Sequence, residues 1–228
     1  MGTSGTSASP DRLSCAAPAS SGSDGGPRRP QDVARFIDQL CGVLSDRTQD
    51  HPSAQCVVRR MRQALDDRAG AAGVCAPRIL PACSHLDAAL VHLRDSAPGL
   101  SALADLLATL SSCLHWQLHS GAASAQFPFR ERHANAHIIG PNGIEQRHDL
   151  VVGLSLLAPF TTYPNHRHPP REVYLVLSEG EWSCEGTDWH RPGTGGIVYH
   201  RPGIVHAMRS GATPLLALWC LWPDQESG

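Results

Sequence analysis

Four residues in the C-terminal half of this chain could together hold a metal ion. His166 and His168 stand two residues apart, Glu172 follows four residues after His168, and His206 comes 34 residues after Glu172 in the setting Gly196-x5-Pro202-Gly203-x2-His206. Side chains alternate along a strand, so this spacing puts His166 and His168 on one face of a strand or of its frayed start. Pro169 and Pro170 then bend the chain, and Glu172 re-enters a strand with Tyr174 on the same face. His206 has to arrive from another strand. Pro202 fixes φ and Gly203 permits a tight reversal, so the turn before it can deliver it. Three neutral imidazoles and one carboxylate suit one divalent transition metal ion, with one or two positions left for substrate or water. Iron, zinc, manganese, cobalt and nickel all accept such donors. Tyr163 and Tyr174 flank the cluster, so an acid or base can stand beside the ion.

The elements that must position these residues fall into two blocks. Residues 1–30 are rich in Gly, Ser, Ala and Pro, with too little apolar surface to offset ordering entropy, and predict a disordered tail. Residues 31–120 read as helical. Val33, Phe36, Ile37, Leu40 and Leu44 recur at helical spacing, and a second helix starts near Pro52 with Val57, Val58, Met61 and Leu65. A third spans about 84–95 and carries Leu86, Leu90 and Leu93. A fourth runs from Pro98-Gly99 to about His119, with Leu103, Leu106, Leu107, Leu110 and Leu114. These stripes predict helices packed on one another and on the C-terminal block. A homodimer contact is the second reading.

From residue 121 to 228 the pattern changes to short β-type runs: 136–139, 150–157, 173–177, 195–199, 205–208 and 215–222. Turn signals separate them at Pro141–Gly143, Pro169-Pro170, Glu179-Gly180 and Pro202-Gly203. Many short strands at this spacing predict a closed sandwich or barrel, which leaves no exposed sheet edge.

Composition narrows the function classes. The chain has 228 residues, 41% of them hydrophobic, and a net charge of −2. Neither nucleic acid nor a membrane surface is favoured as a partner, and a small-molecule substrate is the expectation. All 19 basic residues are Arg, which excludes Schiff-base chemistry on a lysine. The eight cysteines form no CxxC pair, and the N-terminus has no apolar signal segment. The expectation is a cytoplasmic protein with reduced thiols.

The ligand spacing resembles the two metal motifs of the cupin superfamily, a jelly-roll β-barrel fold. Two departures are visible: Phe160 stands where a Gly is common, and Gly180 comes one residue late. A narrower resemblance covers about 100 residues. It takes in Asn135–Gly143, Leu154–Tyr163, Asn165–Leu177, Tyr199–Arg209 and Trp219–Leu221. These are similar to the bacterial cupin-type dimethylsulfoniopropionate (DMSP) lyases, a family that cleaves DMSP to dimethyl sulfide and acrylate. The resemblance implies a mainly β, cupin-type barrel preceded by helices. It implies His166, His168, Glu172 and His206 as metal ligands, Tyr174 as the catalytic base and Tyr163 as a second active-site tyrosine.

The residue types fit a β-elimination. The hard step is loss of a weakly acidic proton beside an anionic carboxylate, and a metal ion bound to that carboxylate offsets the charge that builds up. Tyr is mostly neutral at pH 7, but a nearby divalent cation stabilises the phenolate. The cationic sulfonium end calls for aromatic faces. Trp219 is the preferred choice among Trp219, Trp222, Phe160, Tyr163 and Tyr199, and His137 can line the pocket. His200, at a strand end after Tyr199, is expected to face away from His206. Arg167 and Arg171 are expected to point outward, and Arg209 to close a surface ion pair. The alternatives are another metal-dependent cupin enzyme, a dioxygenase or isomerase with the same four ligands, and a non-enzymatic small-molecule sensor. Four ligands alone do not separate these, because one fold hosts many chemistries.

Overall fold

The computed structural model describes residues 29–118 and 129–223. The expected tail lies outside the described residues except for Arg29 and Pro30, and so does the expected boundary near residue 120. The first block forms α1 (Gln31–Arg47), α2 (Pro52–Asp67), α3 (Leu86–Ser96) and α4 (Ser101–Ser111), with short 3₁₀ turns at Pro81–His85 and Pro98–Leu100. Pro52, Pro81 and Pro98 each sit in the first turn of their element, where a missing N–H costs nothing. The apolar stripes are buried as their spacing requires, from Val33, Phe36 and Leu40 on α1 to Leu103 and Leu107 on α4.

The fourth helix stops at Ser111, eight residues short of the expected His119. Leu114 is buried all the same, but in extended chain. There Trp116 N–H donates to the Arg78 carbonyl, and Gln117 and Asn135 exchange backbone hydrogen bonds. Tertiary pairing to the barrel overrides the leucine periodicity that continued the helix.

The second block opens with a single turn, α5 (Phe129–Arg132), and supplies most of the strands. They are β2 (His133–Ile139), β3 (Glu145–Gln146), β4 (Val151–Leu157), β5 (Thr162–His166), β6 (Arg171–Val176), β7 (Glu181–Cys184), β8 (Ile197–His200), β9 (His206–Arg209) and β10 (Leu215–Trp222); the short β1 (Ala71–Ala72) comes from the connector after α2. One sheet has the order β1-β3-β2-β4-β10-β6-β8 and faces a smaller sheet, β5-β9-β7. All pairings are antiparallel except β2 with β3. This is the expected cupin-type barrel with helices before it.

Three layers result, because the larger sheet is buried on both faces. Along β10, Leu216, Leu218 and Cys220 pack toward the helices, while Leu215, Ala217 and Trp219 join the barrel interior. On β6, Val173 and Leu175 take the helical side, and Tyr174 and Val176 the interior. Burial on both faces is why β10 reads as an unbroken apolar run rather than an alternation. Fully burying one such leucine contributes about 1.5–3 kcal/mol.

Polar bonds add to this packing of helices on barrel. Arg29 donates to Glu145 Oε2 at 2.5 Å, and Gly70 N–H donates to Glu145 Oε1 at 2.8 Å. Buried Arg147 grips Asp149 with two nitrogens, at 2.9 and 2.6 Å, and donates to the Arg68 and Ala64 carbonyls. Among the described residues six cysteines are free thiols, but Cys113 is disulfide-bonded, which departs from the all-thiol expectation. No helix among the described residues is long and apolar enough to cross a membrane.

Candidate metal centre

Strand register decides which side chains meet inside the barrel. His166 on β5 lies opposite His206 on β9, and Glu172 on β6 lies opposite His200 on β8. One row further in, His137, Gly153, Trp219, Tyr174 and Val198 follow one another across β2, β4, β10, β6 and β8. His166, Glu172, His137, Trp219 and Tyr174 from these rows, together with His168, which follows β5 in a loop, line a cavity of about 350 Å³. Its wall also includes Gln117, Leu118, Asn135, Ser155, Tyr163 and Leu221. The turn at Gly203 has φ +70°, and its N–H donates to the His168 carbonyl at 2.9 Å. That one bond ties the turn that delivers His206 to the loop that carries His168.

The four expected ligands converge. Nε2 of His168 lies 3.0 Å from Glu172 Oε2, and Nε2 of His206 lies 3.2 Å from the same oxygen. The ring centroids of His166 and His206 are 4.1 Å apart. Glu172 is 3% exposed, so its charge is held out of water by its partners. Burial alone raises a carboxyl pKa, but the bonds from His168, His200 and His206 outweigh it and hold Glu172 well below the usual range.

The Nδ1 atoms show how the imidazoles are set. His166 Nδ1 lies 3.0 Å from the Pro164 carbonyl, His168 Nδ1 3.1 Å from the Pro170 carbonyl, and His206 Nδ1 3.1 Å from the Ile204 carbonyl. A carbonyl only accepts, so each Nδ1 carries its hydrogen and Nε2 is the nitrogen turned to the cluster. Metal-binding histidines are commonly fixed in this way. Two overlapping groups could hold an ion: His166, His168 and His206, and Glu172, His200 and His206. The donor set fits a divalent transition metal.

His200 corrects the sequence reading. It is fully buried, its Nδ1 is 3.2 Å from Glu172 Oε2, and its ring centroid is 3.9 Å from that of His206. The expectation that it faces away fails because Val198 and His200 both point inward, while Ile197 and Tyr199 pack toward the helices. Counting two back from His200 along β8 was the available signal.

Tyr174 is 2% exposed and stands two residues after Glu172 on the same cavity-facing side of β6. Burial first, and then the Glu172 charge, push its hydroxyl well above its ordinary pKa. Tyr163 packs at 4.4 Å from the His166 ring, and burial raises its pKa against the opposing influence of the Asn135 amide. Trp219 and His137 meet edge to face at 5.6 Å on the cavity wall. Burial lowers the His137 pKa, so this imidazole is neutral at pH 7.

The other aromatic candidates lie elsewhere. Phe160 is 76% exposed, Tyr199 accepts a bond from Arg171, and Trp222 packs against the helical core. Arg167 is exposed and Arg171 half-buried, and Arg209 pairs with Glu181 and lies over the Trp189 ring, as a surface ion pair would. Asn135, Ser155 and Gly153 went unread in the sequence. Their roles come from strand pairing, which spacing does not reveal.

Comparison with known proteins places this geometry. The family model for dimethylsulfoniopropionate lyase matches residues 52–217. The chain belongs to the dimethylsulfoniopropionate lyase family. It is 30% identical over 151 residues to the putative dimethylsulfoniopropionate lyase DddL of Cereibacter sphaeroides, a match spanning 66% of this chain and 62% of that relative. It is 30% identical over 136 residues to the dimethylsulfoniopropionate lyase DddQ of Ruegeria pomeroyi, covering 57% of this chain and 67% of DddQ. The crystal structure of that DddQ superimposes with a TM-score of 0.61 at 22% identity, over 86% of this chain and 94% of DddQ. That superposition spans too much of this chain to be the barrel alone, so it takes in N-terminal helices as well.

Proposed function

We propose that this protein is a metal-dependent carbon–sulfur lyase that cleaves DMSP to dimethyl sulfide and acrylate by β-elimination. One observation carries the reading: His166, His168 and His206, each tied through Nδ1 to a backbone carbonyl, converge, and His168 and His206 reach the buried Glu172 carboxylate on the strand face that also carries Tyr174. Family membership supplies the substrate class.

His166, His168, Glu172 and His206 would hold the ion. When bound, it supplies Lewis-acid stabilisation of the substrate carboxylate and lowers the pKa of a neighbouring phenol. Tyr174, ionised to the phenolate once a cation occupies the site, takes the proton from the carbon next to the carboxylate. The electron pair of that C–H bond becomes the C=C bond of acrylate, and the C–S pair leaves with neutral dimethyl sulfide. The proton ends on the Tyr174 oxygen and passes to solvent before the next turnover. Tyr163 stands beside His166 and steers the substrate or shares the proton. Trp219 offers a ring face to the sulfonium. Neutral His137 beside it leaves no competing positive charge at that end.

The test is direct. Purified protein is loaded in turn with Fe, Mn, Zn, Co or Ni, given DMSP, and the headspace is assayed for dimethyl sulfide. Production of the gas is the expected result. Its absence with every metal sinks the reading.

A further inference from the structure

We infer that His200 is a positioning residue that fixes the Glu172 carboxylate for metal binding, and that it is not itself a ligand. This rests on the proposed metal centre.

Four imidazoles approach the cluster, and their Nδ1 atoms divide them. Those of His166, His168 and His206 are spent on backbone carbonyls, which leaves Nε2 turned inward. His200 is the reverse: Nδ1 points at Glu172 Oε2 at 3.2 Å, while Nε2, on the far side of the ring, is buried with no hydrogen-bond partner among the described residues. If Nδ1 of His200 gave its lone pair to an ion, the ring hydrogen would sit on Nε2, buried with no acceptor among the described residues; with the hydrogen on Nδ1 it is donated to Glu172 instead. Nε2 has its lone pair directed away from Glu172. The ring is therefore a donor to the ligand.

Register explains why the contact is dependable. Glu172 and His200 are directly paired across β6 and β8. His168 and His206 also touch Oε2, but a cation at the cluster competes for the Nε2 atoms they use. The His200 bond uses a nitrogen that no cation needs, so it persists when the ligands are engaged. It holds one carboxylate oxygen and so sets the direction of the other. Losing such support to a metal ligand typically costs 10–100-fold in affinity.

The test compares three variants with the wild type, each checked for folding by circular dichroism. His200→Asn keeps an N–H near the Nδ1 position, His200→Phe keeps ring volume without a donor, and His200→Leu controls for packing. Affinity for Co(II) is measured by competition with a chromophoric chelator, and the visible spectrum of the Co(II)-loaded protein reports ligand geometry. His200→Phe and His200→Leu should lose about 10–100-fold in affinity and shift the spectrum. His200→Asn should recover to within about threefold with the wild-type spectrum. Wild-type affinity in His200→Phe overturns the proposal, and so does a loss in His200→Asn equal to that in His200→Phe, since the ring itself would then be required. If the wild type binds no Co(II), the metal reading fails instead, so the two failures are distinct.

Discussion

The indole of Trp219 lies across the bare backbone of Gly153, its direct partner on the neighbouring strand. A Cβ at residue 153 would stand 2.4 Å from Trp219 Cζ2 and 2.6 Å from the Ala136 carbonyl oxygen. The glycine is there for close approach, since its φ is not in the left-handed region.

Gly153→Ala should therefore displace the indole into the cavity. Overpacking of this kind costs about 1–3 kcal/mol, and the loss should appear in substrate binding as well as in stability. The expected outcome is a several-fold rise in KM for DMSP with a smaller change in kcat, and a shifted tryptophan emission. An unchanged KM would remove Trp219 from the substrate-facing wall.

The Arg147–Asp149 pair makes a separate prediction about stability. The two nitrogens that Arg147 donates, helped by its charge, hold the Asp149 pKa down to about 2 against an ordinary 3.8, although partial burial opposes this. A depressed folded-state pKa stabilises above the unfolded value and loses that contribution as pH falls through the folded one. Asp149→Asn should cost about 1.5–3 kcal/mol of stability at pH 7, the size expected for charged hydrogen bonds, seen as a lowered Tm. The gap to wild type should narrow below pH 4 and close near pH 2. A gap independent of pH would mean that the carboxylate charge is not what matters.

Tyr174 and Tyr163 should separate in kinetics. Tyr174→Phe removes the hydroxyl beside Glu172 on the cavity wall and should cut kcat by about 10²–10⁴, the usual worth of a general base, with metal content unchanged. Tyr163→Phe removes a hydroxyl on the cavity wall and keeps the ring that packs on His166. It should raise KM more than it lowers kcat. If Tyr174→Phe loses its metal, the hydroxyl supports the centre and another base must be sought.

Legibility in the sequence tracks where local rules act. Helix stripes, strand alternation and the ligand spacing are short-range, so α1, α2, β4, β6 and β10 were legible, and so were His166, His168, Glu172 and His206. Long-range pairing was not. The pairing of Leu114–Gln117 with Arg78 and Asn135 ended the fourth helix early. β7 was hidden because Glu181–Cys184 is short and mixed in polarity, and its place in the sheet comes from pairing with β9. The error on His200 has the same source. Its sequence neighbour Tyr199 suggested a strand end, while its partner Glu172, 28 residues away, pulls it into the cluster.

The last prediction concerns metal loading and pH. Both ring nitrogens of His168 face acceptors, Glu172 through Nε2 and the Pro170 carbonyl through Nδ1. Burial alone lowers its pKa, but these partners outweigh burial and raise it above 6.5. A ligand must give up the proton on its binding nitrogen, so metal uptake releases protons and competes with them. With the pKa raised, that competition begins at a higher pH than for an ordinary histidine. Apparent Co(II) or Zn(II) affinity should level off above the raised pKa, where neutral imidazole dominates, and fall by about tenfold per pH unit below it. His168→Gln should flatten this dependence as well as weaken binding. Titrations with a chromophoric chelator from pH 5.5 to 8.5 supply the measurement. An affinity that does not vary over this range would show that His168 holds no competing proton and is not a ligand.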